Sequence, residues 1–176
     1  MESNFNLKVF SDTIIVSISV KPQFYAYLLL ILVTSLLILP FFLINLNNES
    51  FTFELFLELF IYLILIELFP LKYCFWNVFG KETLLFTKKS LSYKHVYGLI
   101  SSNMKVVPHK NISVIFYNIL IEKNKKFGKI NFLEENDETG LIELIHKTSI
   151  LISEENYECF ILEFDKLFLL ETFSLN

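Results

Sequence analysis

Residues 23–46 carry no charged side chain, and the centre of that stretch, Leu28 to Leu39, is interrupted only by Thr34 and Ser35. About twenty apolar residues, each rising 1.5 Å in a helix, cross a hydrocarbon core of roughly 30 Å. This segment therefore predicts a membrane-spanning helix. Residues 51–71 form a second apolar stretch that ends near Pro70 and carries Glu54, Glu58 and Glu67. Its length and its neighbour predict a second span, with a short turn between the two. The first stretch starts more than twenty residues into the chain, without a basic lead or a small-residue cleavage site, so it does not read as a cleaved signal peptide.

Lysine placement orients the expected hairpin. The connecting residues 47–50 hold Glu49 and no lysine, whereas Lys8 and Lys21 precede the first stretch and Lys72, Lys81, Lys88 and Lys89 follow the second. Positive charge gathers on the cytoplasmic side, which predicts an inner-membrane, multi-pass protein with both termini cytoplasmic. Tyr25, Tyr27, Tyr73 and Trp76 fall where an inner aromatic belt is expected. Cys74 and Cys159 then read as reduced thiols. His95, His109 and His146 are separated in sequence and show no ligand spacing, so no metal site is expected.

The chain outside the two stretches divides into an N-terminal piece, 1–22, and a larger one, 72–176. From Phe10 to Val20, branched residues alternate in the period of a strand, which needs a sheet to join. The partner expected is the region beyond residue 78. There, 82–87 and 91–97 read as strands about a Lys88-Lys89-Ser90 turn. Residues 111–121 and 129–133 flank a tip at Glu122–Gly128, and 141–152 reads as a last strand. Ser153 is placed to cap a closing helix over 154–171, with Glu154 and Glu155 at its positive end. Tyr157, Phe160, Ile161, Phe164, Leu167 and Phe168 form its apolar stripe.

Trp76, Gly80, Lys81 and Glu82 make a W-x-x-x-G-K-E junction that leads into a strand pair, and Gly128-Lys129-Ile130-Asn131-Phe132 forms a later strand. This layout resembles small bacterial two-span membrane proteins with a PH-like (pleckstrin-homology-like) cytoplasmic domain. The junction covers roughly residues 70–97. The acidic run Glu134–Gly140 departs from the pattern and leaves the register of the last strands open. The resemblance implies a membrane protein of α+β class, in which a two-helix transmembrane hairpin is followed by a bent antiparallel β-sheet capped by a C-terminal helix. It implies no catalytic residue and no cofactor.

Charge is the best guide to function. All 15 basic residues are lysine, so arginine's bidentate fork for phosphate is missing. Residues 72–129 hold eleven lysines against Glu82 and Glu122, a net of +9, and residues 130–176 hold two lysines against eleven acids, a net of −9. One reading has Lys72, Lys81, Lys88, Lys89, Lys123, Lys125, Lys126 and Lys129 meeting the anionic lipids of the inner leaflet or an acidic protein partner. The other has them as solvated turn residues neutralised by the acidic helix. Without arginine or a basic-aromatic groove, nucleic acid is not an expected partner. Glu54, Glu58 and Glu67 are candidate intramembrane acids, serving proton or cation handling or an oligomeric contact.

Motifs for a phosphate loop, a nucleophile elbow, a redox pair or a zinc protease are absent, so no enzyme is expected. Two functions follow. One is a membrane-anchored binding or scaffold module working through lipid headgroups or a protein. The other is an accessory subunit of a transport or defence assembly that uses the intramembrane acids.

Overall fold

Alternating branched residues from Thr13 onward make one face of a strand wholly apolar, and that face is where the core begins. A computed structural model of the chain describes residues 3–47, 52–66, 70–136 and 139–169. Residues 48–51, Glu67, Asp137, Glu138 and the last residues of the expected helix, 170–171, lie outside the described residues. Ser3–Phe10 (β1) and Thr13–Val20 (β2) form an antiparallel hairpin. On β2, Ile14, Val16 and Ile18 are fully buried. Strand β1 has no counterpart among the expected elements, although Phe5, Leu7 and Val9 alternate with Asn4, Asn6 and Lys8 in the period of a strand with one exposed face.

Three helices follow: Phe24–Asn47 (α1), Phe53–Ile66 (α2) and Lys72–Phe79 (α3). The chain then enters Gly80–Thr87 (β3), which pairs antiparallel with β2 over seven residues, from Thr13↔Thr87 to Ser19↔Lys81. Strands on either side of the helices are thus neighbours in one sheet, and the helical segment leaves and returns at the same sheet end. Ser90–Tyr97 (β4) continues the sheet, and Ile100–Ser101 (β5) and Lys105–Pro108 (β6) both pair with β4. A second sheet is built on Lys125–Glu135 (β8). It pairs with Ile112–Glu122 (β7) on one side and with Ile142–Lys147 (β9) and Ile152–Ser153 (β10) on the other.

Glu154–Leu169 (α4) closes the core, and Ser153 Oγ accepts from Asn156 N at 3.3 Å as its cap. Phe86 of β3 marks the meeting point. Its ring lies 5.0 Å from Phe132 of β8 and 5.2 Å from Phe160 of α4. One hydrophobic cluster therefore joins both sheets and the helix.

The architecture corrects the expected one. The described strands form two sheets rather than one bent sheet, and no two-helix transmembrane hairpin is present among the described residues. One helix there is long and apolar enough to cross a membrane, over Phe24–Phe42. The second candidate falls short for a physical reason. Its described helix α2 has 14 residues, about 21 Å at 1.5 Å per residue against a core of roughly 30 Å. It also carries Glu54 and Glu58. The α+β membrane-hairpin assignment is therefore withdrawn in favour of a β-rich fold with one such helix.

Two local expectations also change. The residues expected as one strand, 141–152, are two short strands, β9 and β10, joined through 148–151. Gly128 is not part of the hairpin tip but a buried residue inside β8. A Cβ there would sit 2.3 Å from the Tyr117 carbonyl oxygen, so only glycine allows β7 and β8 to approach beside the bulge at Asn118/Leu120.

Candidate functional site

Two places gather chemistry, and the first was legible only in pieces. On β3, Glu82 is in phase with Leu84 and Phe86, so its side chain points into the core and is fully buried. Burying a lone carboxylate is costly, and a carboxylate persists there only with donors around it. His146 of β9 donates from Nε2 to Glu82 Oε1 at 2.8 Å, and the Ser149 N–H donates to Oε2 at 2.8 Å. His95 of β4 brings its Nε2 to 3.4 Å from the same Oε1 and 3.0 Å from Ser149 Oγ. Both imidazoles must carry hydrogen on Nε2 to act as donors.

Aromatic rings wall this cluster. Tyr93 stacks on His146 at 3.9 Å between centroids, and Trp76 of α3 lies 5.7 Å from the His95 ring. The W-x-x-x-G-K-E junction thus has a physical role at its tryptophan, its glycine and its glutamate. Trp76 backs His95, and Glu82 is the buried acid. Gly80 turns the chain from α3 into β3 where a Cβ would meet the Trp76 carbonyl oxygen at 2.2 Å.

Burial alone would raise the Glu82 carboxyl. The hydrogen bonds from His146 and His95, the His146 charge and the Ser149 N–H outweigh it and lower the pKa to about 2. The carboxylate therefore stays ionised and ties β3 and β4 of one sheet to β9 and the 148–151 segment of the other. Among the described residues, no group of three or more His, Cys, Asp or Glu side chains is arranged to hold a metal ion.

In sequence, His95, His109 and His146 are far apart and share no ligand spacing. Two of them converge on Glu82, while His109 lies apart, buried at the end of β6 near Phe168. An available signal was the acid itself, standing in the apolar phase of a strand. Its partners, 64 residues away in the case of His146, were not readable.

The second place is the basic rim. The structure divides the predicted lysines into separate groups. Lys72 opens α3 with its ammonium 4.9 Å over the Tyr97 ring, and Lys81 is the second residue of β3, opposite Ser19, so both stand at the sheet end from which the helices leave. Lys88 and Lys89 lie beyond the other end of β3, about 23 Å from Gly80 at roughly 3.3 Å per residue. Lys123, Lys125 and Lys126 cluster at the β7–β8 tip, and Lys129 stands farther along β8 opposite Tyr117.

Two of the eight are bound to the acidic helix. Lys125 meets Glu155 at 3.2 Å and Lys126 meets Glu154 at 2.9 Å, both exposed pairs. The fold thus brings part of the basic half against part of the acidic half, as the second reading of the charges expects. Exposed pairs of this kind hold little free energy. Glu54 and Glu58 are exposed on α2, one turn apart.

The tip and the root of α1 enclose a cleft of about 360 Å³ lined by Lys21, Gln23, Glu122, Lys123, Lys125 and Phe127, among others. Of the two cysteines, Cys74 is buried and Cys159 exposed, and both are free thiols. Burial pushes the Cys74 thiol up.

No protein-family model matches the chain, and no curated protein is found to match it.

Proposed function

We propose that the chain is a membrane-tethered binding module, working at the cytoplasmic face of the inner membrane through contact with anionic lipid headgroups. The observation that carries this reading is the surface of α1. Over Phe24–Phe42 only 12% of the apolar segment is buried against the rest of the protein. Leu28, Ile31, Leu32, Ile38, Phe41 and Phe42 are all exposed. A contiguous apolar surface of this extent marks a face meant to be covered.

Lipid is the covering that suits it. Thr34 and Ser35 turn their hydroxyls back to the Leu30 and Ile31 carbonyl oxygens at 2.9 and 2.7 Å. That is how polar side chains are satisfied inside an apolar environment. Lysines 21, 72 and 81 ring the sheet end where the helices leave, which is where anionic headgroups would lie.

Carbonate washing of membranes from cells that express the full chain tests the tether. Retention in the pellet is expected, and release into the supernatant as a monodisperse protein would overturn the reading.

A further inference from the structure

We propose that the cleft between the root of α1 and the β7–β8 tip binds the phosphate of an anionic phospholipid, with the aliphatic strand end Ile119–Ile121 beside the tip resting against the neighbouring acyl chains. The proposal rests on the membrane-tether reading and adds to it a specific lipid site.

Charge comes first. Lys21, Lys123 and Lys125 line the cleft together with Glu122, a net formal charge of +2 among its lining residues, and Lys21 and Glu122 each also make a contact of their own. Lys125 is shared with Glu155, but that pair is exposed, so its ammonium can reorient toward a phosphate at little cost. Phe127 supplies a buried apolar floor. The site is also held in place. Lys123 and Asn124 both have positive φ, 51° and 63°, the pattern of a tight two-residue hairpin turn, so the tip presents Lys123 on a stiff support.

Position comes second. Lys21 and Gln23 immediately precede Phe24, where the apolar helix starts, so the cleft opens at the depth of the headgroups if α1 lies in lipid. The tip has a matching apolar shoulder. Past the bulge at Asn118/Leu120, Ile119, Leu120 and Ile121 are exposed in succession, on both faces of the strand end. Three consecutive exposed aliphatic residues next to a row of lysines match the headgroup-to-acyl boundary, apolar on one side and anionic on the other.

The headgroup class follows from the adjoining space. A second space of about 160 Å³ shares Lys21, Lys125 and Phe127 with the cleft and is bordered by Ser3, Asn4, Ser153 and Asn156. Ser3 Oγ donates to the Leu151 carbonyl at 2.6 Å and Ser153 Oγ caps α4, which leaves the Asn4 and Asn156 amides to suit a hydroxylated headgroup such as glycerol.

The test uses the full chain in detergent micelles, titrated with short-chain phosphatidylglycerol, short-chain phosphatidylcholine of the same length, or inorganic phosphate, with bound lipid counted by native mass spectrometry. Phosphatidylglycerol is expected to bind at least tenfold tighter than phosphatidylcholine. Exchanging Lys21, Lys123 and Lys125 for Gln together is expected to remove that preference, at roughly fivefold per lysine. Ile119→Ser with Ile121→Ser is expected to weaken both lipids equally. Equal affinity for the two lipids in the unaltered chain, or an unchanged preference in the lysine variant, would overturn the site. Competition by inorganic phosphate at the same concentration as lipid would also overturn it, because the acyl shoulder would then contribute nothing. Carbonate retention of the lysine variant keeps the two readings apart. A variant that stays in the pellet but has lost its lipid preference supports the site, whereas release of the unaltered chain would refute the tether itself.

Discussion

Glu82 and His146 stand 64 residues apart in sequence, on opposite sheets, and their side chains meet at 2.8 Å from Oε1 to Nε2 inside the core. Through that contact, the Ser149 N–H and the nearby His95, one carboxylate fastens the two sheets to each other. The apolar cluster around Phe86 supplies the bulk of the adhesion, and the carboxylate sets which residues face which.

Removing the charge should therefore cost more than an exposed ion pair would. Glu82→Gln is expected to destabilise the protein by about 3 kcal/mol, since a buried partner is lost while its donors remain. His146→Gln should cost a similar amount. The double variant should fall well short of the sum, because both changes break the same contact. Urea titration followed by Trp76 fluorescence in detergent checks this. Additive losses would mean that the two side chains do not act together.

The same cluster gives the fold an acid limit. The folded Glu82 carboxyl has a pKa of about 2 against an ordinary 4.5. The stability from this depression is present in full above pH 4.5 and is lost as pH falls from about 4.5 to about 2. Integrated over that window it amounts to about 3 kcal/mol. Urea midpoints at pH 6, 4 and 3 should fall along this course. The drop should shrink in Glu82→Gln, and an equal drop in both proteins would assign the acid sensitivity elsewhere.

Phe86 should be the most costly single truncation in the apolar core. It is fully buried, with its ring within 6 Å of Phe132, Phe160 and Phe164. Phe86→Ala is expected to cost about 3–5 kcal/mol. Leu162→Ala on the exposed side of α4 should cost well under 1 kcal/mol. Thermal melts of the two variants distinguish them, and similar losses would place the core elsewhere.

Leu32 is exposed near the middle of the apolar α1 segment. If lipid covers that face, Leu32→Lys should carry a penalty of about 2.5–3.5 kcal/mol for insertion. The fraction of chain retained after carbonate washing should then fall. Unchanged retention together with an unchanged melting temperature would remove α1 from the bilayer.

Much of the local structure was legible, and the reasons are particular. Ile14, Val16 and Ile18 alternate strictly, and a strand with one apolar face has little choice of orientation. The stripe Phe160, Phe164, Leu167 repeats at helical spacing behind a Ser153 cap, which selects a helix and its buried side together. Strand β1 was equally legible, since Phe5, Leu7 and Val9 alternate with Asn4, Asn6 and Lys8. The second apolar stretch has the composition of a span when averaged over 51–71, whereas the described helix α2 covers only 53–66.

By itself, the sequence determined the apolar helix, the strand phases, the closing helix and the uneven distribution of lysine and acid. These depend on neighbours within a turn or a strand, where side-chain spacing decides. Only the tertiary structure decided that Glu82 meets His146, that Lys125 and Lys126 meet the start of α4, and that Lys21 shares a cleft with the β7–β8 tip. Those relations span from 28 to more than 100 residues of chain. No local periodicity encodes them, because each arises where two sheets and a helix close on one core and whatever stands at the rim is carried along.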